Sequence, residues 1–152
     1  MNKINYPHTV TTVYIHGELN SEENPIVFGY GDDTNPKYLD ILNNNNNNYL
    51  RNLKRQQYNL AAEYDKLKVS MSNMNDEIEV ITMGHSLGLA DKTLLLEIMN
   101  HEKVKKIKLT YHKDMNGYRS LNDNISRIVS SDTLNKKIVS YPRSIKMPQI
   151  DI

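Results

Sequence analysis

Residues 84–88 read Gly84-His85-Ser86-Leu87-Gly88, the G-x-S-x-G pattern that presents a serine nucleophile on a sharp strand-to-helix turn. The flanks fit that geometry, with an apolar strand before Gly84 and a helical pattern after Gly88. Acyl transfer on this plan also needs an acid and then a histidine, in that chain order, at the ends of later strands. Only 66 residues follow Ser86. His101 belongs to the helix that comes directly afterwards. His112 falls at a strand end, but no strand-end acid lies between it and Ser86. A serine esterase is therefore the least favoured expectation.

The same turn has a second chemistry. A strand that ends in Gly-x-Ser and passes into a helix presents backbone N–H groups at the positive end of the helix dipole. Gly84 would let a phosphate or ribose approach the backbone closely, and Ser86 would donate or accept a ligand hydrogen bond. Asp91 then has two readings. It is the helix N-cap, which its residue type favours, or it is an acceptor for a ligand hydroxyl.

Such a turn needs a sheet behind it. Residues 78–83, IEVITM, form a predicted strand buried on both faces, feeding a helix from about Asp91 to Asn100. Residues 104–111, VKKIKLTY, predict the next strand, and a helix follows over about Ser120–Val129. Residues 136–141, KKIVSY, predict a last strand stopped by Pro142. Upstream, 9–19 predict a strand ending near His16-Gly17, and Ile26–Phe28 a second short one. Leu53, Leu60, Tyr64, Leu67 and Met71 recur at helical spacing, predicting one long amphipathic helix from Tyr49 to about Met74. Alternating strands and helices imply an α/β fold in three layers around a mainly parallel sheet. One domain is expected over 1–145, with a tail over 146–152 and an Asn-rich loop over 42–48.

Composition narrows the function classes. The chain contains no cysteine, which removes disulfide and thiolate chemistry. There is no run of 18 apolar residues and no apolar leader at the N-terminus, so the expectation is a cytoplasmic protein without a membrane span. Mean hydropathy is −0.65, polar for a stand-alone domain whose strands are buried on both faces. Charge is uneven: residues 1–50 carry a net −4 and residues 102–152 a net +6. The basic residues alternate with apolar ones as on a strand face, so a solvated surface is favoured and a nucleic acid partner is not expected. No metal is expected either.

One ordered set of segments is more specific. Asn5-Tyr6, Ile15-His16-Gly17, Phe28-Gly29, Gly84-His85-Ser86 and Asp91 occur in a sequence that resembles the AbiH family of bacterial phage abortive infection proteins. The resemblance covers nearly the whole chain. That family in turn resembles the sirtuin-like, Rossmann-like nucleotide-binding fold, which implies NAD or a related nucleotide as ligand. On that resemblance His16 becomes the candidate catalytic residue, accepting a proton from a ribose hydroxyl or water. Gly17, Gly84, Ser86 and Asp91 become candidate cofactor contacts. A structural histidine held by a neighbouring loop stays open for His16, and packing or a backbone bond at the turn is favoured for His85. His112 and Arg127 lie in family-like segments without an assigned role. Complete members of the family are about twice as long and open on a Gly-Asn-Gly-Phe-Asp segment. The chain is thus expected to be the C-terminal half. A separate N-terminal half, self-association or a phage component would be its partner, and NAD cleavage would belong to the complete protein. A non-catalytic interaction module and an inactive remnant are the alternatives.

Overall fold

The computed structural model of the chain describes residues 10–29, 37–44 and 46–148. Its centre is a parallel pair of strands, β1 (Ile78–Thr82) and β2 (Val104–Leu109). Ile78 faces Val104 and Glu79 faces Lys106, so a bulge at Lys105 interrupts the register. From there Val80, Ile81 and Thr82 face Ile107, Lys108 and Leu109. Both strands follow from β-branched residues, in a short apolar run in β1 and interspersed with lysines in β2.

Seven helices accompany the pair among the described residues: α1 (Tyr38–Asn43), α2 (Asn47–Arg51), α3 (Lys54–Leu60), α4 (Ala62–Asn73), α5 (Lys92–Asn100), α6 (Met115–Ser126) and α7 (Ser131–Lys137). The main core gathers Leu95 and Met99 of α5, Val104, Ile107 and Leu109 of β2, and Ile125, Ile128 and Val129 at the end of α6. Leu87 from the loop after β1 completes it with no exposed surface. A second cluster joins Val27, Tyr58, Tyr64 and Leu94, tying 10–29 to α3–α5. Helices and a parallel pair make the mixed α/β architecture that the alternation of periods predicts.

Several elements differ from expectation. The single long helix over 49–74 is three helices, broken at Asn52–Leu53 and at Ala61, whose backbone is extended. The break at Ala61 re-aims α3, so Leu60 is 82% exposed and Tyr58 is buried in its place. Segment 10–19 forms no strand: a turn at Ile15–His16 closes with Gly17 N–H donating to the Tyr14 carbonyl at 2.9 Å. Ile26–Phe28 is not a strand either, although Val27 N–H donates to the His16 carbonyl at 2.9 Å. The Asn run supplies helix ends, with Asn43 closing α1 and Asn47 opening α2 under the Asn46 cap. The last predicted strand does not form: Lys136 and Lys137 end α7, which Ser130 caps by accepting from Thr133 N–H, and only Ile138 pairs, in parallel with Ile107. Lys146 and Met147, read from sequence as the start of a tail, pair with Tyr111.

The strand read as buried on both faces is covered on one. Val80, Ile107 and Leu109 face the helices, while Ile81 is 50% and Met83 66% exposed on the other side. No helix among the described residues is long and apolar enough to cross a membrane.

Candidate functional site

The loop from Met83 to Gly88 is shaped by two left-handed residues. Gly84 has φ +68°, and a Cβ there would meet nothing within 4 Å, so the glycine answers a backbone requirement and leaves open space. Leu87 has φ +55° and carries a side chain, which the core takes in completely. Between them sit His85 and Ser86. Leu87 N–H donates to His85 Nδ1 at 2.9 Å, which places the imidazole proton on Nε2. The Ser86 carbonyl accepts from Asn124 Nδ2 at 2.9 Å, and Asn124 Oδ1 accepts from Arg127 Nη1 at 2.7 Å. Arg127, without a role in the sequence, thus orients the asparagine that holds the loop.

Asp91 stands at the end of a single 3₁₀ turn, Leu89–Asp91, directly before α5. It occupies the N-cap position but its side chain caps no N–H, which corrects the favoured capping reading. The carboxylate turns outward from the helix instead. Lys54 Nζ on α3 donates to Oδ1 at 2.7 Å, His16 Nε2 stands 3.8 Å from the same oxygen, and His85 Nε2 lies 3.3 Å from Oδ2. Three segments distant in sequence converge on one carboxyl group. Burial alone would raise its pKa; the Lys54 hydrogen bond and charge, with His16 and His85, outweigh it and hold the carboxyl below its ordinary range. Tyr58 lies beneath, fully buried. Burial first and Asp91 second push its phenol up, so it stays neutral. Its hydroxyl makes no well-formed hydrogen bond among the described residues.

His16 is the half-exposed member of this group. Partial burial lowers its pKa, Asp91 pulls it back, and Lys54 and His85 lower it further, with a net result below the ordinary value of 6.5. At neutral pH the imidazole is therefore uncharged and can accept a proton. His85 cannot do the same, since Nδ1 is occupied by the Leu87 N–H and Nε2 carries the proton towards Asp91. Of the two structural roles expected for His85, packing or a backbone bond at the turn, the backbone bond is present as Leu87 N–H to Nδ1.

A cleft of about 450 Å³ opens where β1 and β2 end. Gly84, His85 and Ser86 form one wall, Thr110 and His112 after β2 form the floor, and Ser120, Leu121 and Asn124 of α6 face them. Open parallel sheets bind ligands in this position, outside the carboxyl ends of the strands. α6 reaches the floor because Gly117 is a glycine: a Cβ would lie 2.0 Å from the His112 carbonyl oxygen. The N-terminus of α6 is already occupied, since Asp114 accepts from Asn116 and Gly117 N–H. No side chain caps α5.

The sequence candidates thus divide. Gly84 and Ser86 line the cleft; His16 and Asp91 meet each other beside it, and His85 belongs to both groups. Gly17 is explained by its backbone, with φ +83° and a Cβ that would fall 2.2 Å from the Pro25 oxygen. Ser86 does not take the left-handed conformation; Gly84 and Leu87 do, which counts further against a nucleophile elbow. Asn5-Tyr6 lies outside the described residues. Lys54 and Tyr58 were missed, because nothing local in α3 marks a residue that reaches a carboxylate 37 positions away.

A parallel strand pair with a cleft at its carboxyl edge does not by itself define one activity. The family model for bacteriophage abortive infection AbiH matches residues 2–113, and the chain belongs to that family. Membership implies a part in phage defence by abortive infection. No curated protein and no solved structure matches the chain.

Proposed function

We propose that the cleft binds a nucleotide of the NAD class and that His16 is the proton acceptor for cleavage of its nicotinamide–ribose bond. The observation that carries the reading is the junction of His16, Asp91 and cleft-lining His85 at the carboxyl edge of the sheet. A phosphate would sit at the uncapped start of α5, with Gly84 leaving room and Ser86 hydrogen-bonding the ribose or phosphate. Water would attack the anomeric carbon and lose its proton to His16, while nicotinamide leaves with the electrons of the glycosidic bond. The parallel pairing and the strand-end loop support kinship with the sirtuin-like three-layer fold, in which further strands would add along β1.

Nicotinamide release from NAD by the complete protein, to which cleavage would belong, tests this, alongside NAD binding by calorimetry. His16→Ala is expected to lower release at least a hundredfold while binding changes little. Ser86→Ala should weaken binding about tenfold, the loss of one hydrogen bond to a charged ligand. Full activity in His16→Ala would end the catalytic assignment, and an esterase activity lost in Ser86→Ala would return the hydrolase reading.

A second reading, an interaction module, draws on one observation. The outer edge of β1 has no strand partner among the described residues, and such an edge invites pairing with another copy or a separate chain. Light scattering discriminates: a stable monomer over the micromolar range would count against it.

A further inference from the structure

The sheet face opposite the core carries exposed Ile81 and Met83 towards the end of β1 and a group of lysines along β2. Parallel sheets bury both faces under apolar contacts, yet here β2 presents Lys106 and Lys108 on the uncovered side, with the bulge exposing Lys105 next to them. Lys136 and Lys137 at the end of α7 and Arg143 close a groove of about 440 Å³ over Ile138 and Val139. Six cations line it against one carboxylate, Glu79. Covering this face with a helix would bury Lys106 without an ion-pair partner, at a cost of several kcal/mol by the order of magnitude for buried charge.

The cations are not equally committed. Lys108 pairs with Glu79 at 2.6 Å and Lys136 with Asp132 at 2.8 Å. Lys137 holds the Met99 and His101 carbonyls at the end of α5, and Lys105 the Glu102 carbonyl. Among the described residues, neither Lys106 nor the Arg143 guanidinium has an ion-pair partner. The charges also crowd one another, since burial and then the nearby Lys105 lower the Lys137 pKa.

We infer that this groove binds the phosphodiester backbone of a single-stranded nucleic acid. Lys106 and Lys108 are two residues apart on one strand, about 6.6 Å by the strand rise, which is the order of spacing between successive phosphates in an extended strand. No aromatic side chain lines the groove, so affinity comes from phosphate neutralisation with little base preference. The ligand differs from the nucleotide of the cleft, and the two sites share no lining residue.

Fluorescence anisotropy with labelled dT and rU 20-mers, from 50 mM to 300 mM salt, tests the inference on the full chain. Affinity is expected to fall log-linearly with salt, by about 0.7 in slope for each phosphate engaged. Lys106→Gln with Arg143→Gln should reduce the slope by about 1.4, two contacts at that value, and weaken binding at least tenfold at 50 mM salt. Glu79→Gln, which frees Lys108, should tighten binding severalfold. These are exposed positions, and unchanged circular-dichroism melts would show that the fold persists. No binding at 50 mM salt, a wild-type slope in the double variant, or binding to phosphatidylcholine vesicles with 30% phosphatidylserine but to neither 20-mer would overturn the inference.

Discussion

Leu87→Ala is expected to destabilise the protein by about 3 kcal/mol, within the range for a fully buried leucine, and Leu87→Gly by no more than that. The order inverts the usual one. At Leu95, buried in α5, glycine should be less stable than alanine by about 1 kcal/mol, because helix interiors penalise glycine. At Leu87 the backbone is left-handed, φ +55°, where a side chain costs about 1–2 kcal/mol relative to glycine. The lost methyl offsets about 0.8 kcal/mol of that relief, leaving Leu87→Gly equal to Leu87→Ala or up to about 1 kcal/mol better. Urea midpoints of the four variants decide it. A glycine penalty of the same sign at both positions would mean that residue 87 is not left-handed.

The position of that strain is informative. Leu87 stays left-handed because its side chain, wholly in the core, contributes more than the backbone loses. Its N–H fixes the His85 ring, and the ring meets Asp91. A buried leucine thus anchors an exposed arc, Gly84 to Ser86, over the cleft. Strained residues concentrate where a geometry must be held for a ligand.

The fold was legible where residue type and burial agree. β1 and α5 carry short apolar runs, β2 sets Val104, Ile107 and Leu109 among lysines, and all three form where expected. α7 was misread because Ile138-Val139 looks like strand; the Ser130-to-Thr133 cap was a visible contrary signal. α6 begins five residues before its expected start because Asp114 caps it, a signal the apolar stripe obscured. Segment 10–19 is β-branched enough for a strand, but a strand needs a partner, and the turn at His16 with left-handed Gly17 and Asn20 uses its hydrogen bonds locally. The long helix failed at Ala61, which has high helix propensity, so the break comes from tertiary packing of Tyr58 against Tyr64, rings stacked at 5.4 Å. In the site, Gly84 and Ser86 could be placed from the strand end alone. The Lys54–Asp91 contact could not, because no local pattern encodes a pairing across α3 and α5.

Asp91→Ala should cost about 2–3 kcal/mol at pH 7, below the 3–5 of a fully buried broken pair because both side chains keep some exposure. The loss arises from Lys54, left 17% exposed without its counter-charge. If that is the cause, adding Lys54→Met to Asp91→Ala should recover at least half of it, whereas a capping role for Asp91 would give no recovery. The pH dependence separates the partners. The Asp91 pKa is depressed in the folded state, so its contribution is present above the unfolded carboxyl value and lost as pH falls through the folded one. The His16 pKa is also depressed, so the unfolded chain takes up that proton first and stability already declines as pH drops below about 6.5. Asp91→Ala removes the acidic window but deepens the upper one, because His16 loses the carboxylate that raises its pKa. Proton NMR of the His16 ring should therefore show its titration moving to lower pH in Asp91→Ala. A midpoint that stays put would place His16 away from Asp91 in solution and take the proton acceptor out of the proposed site.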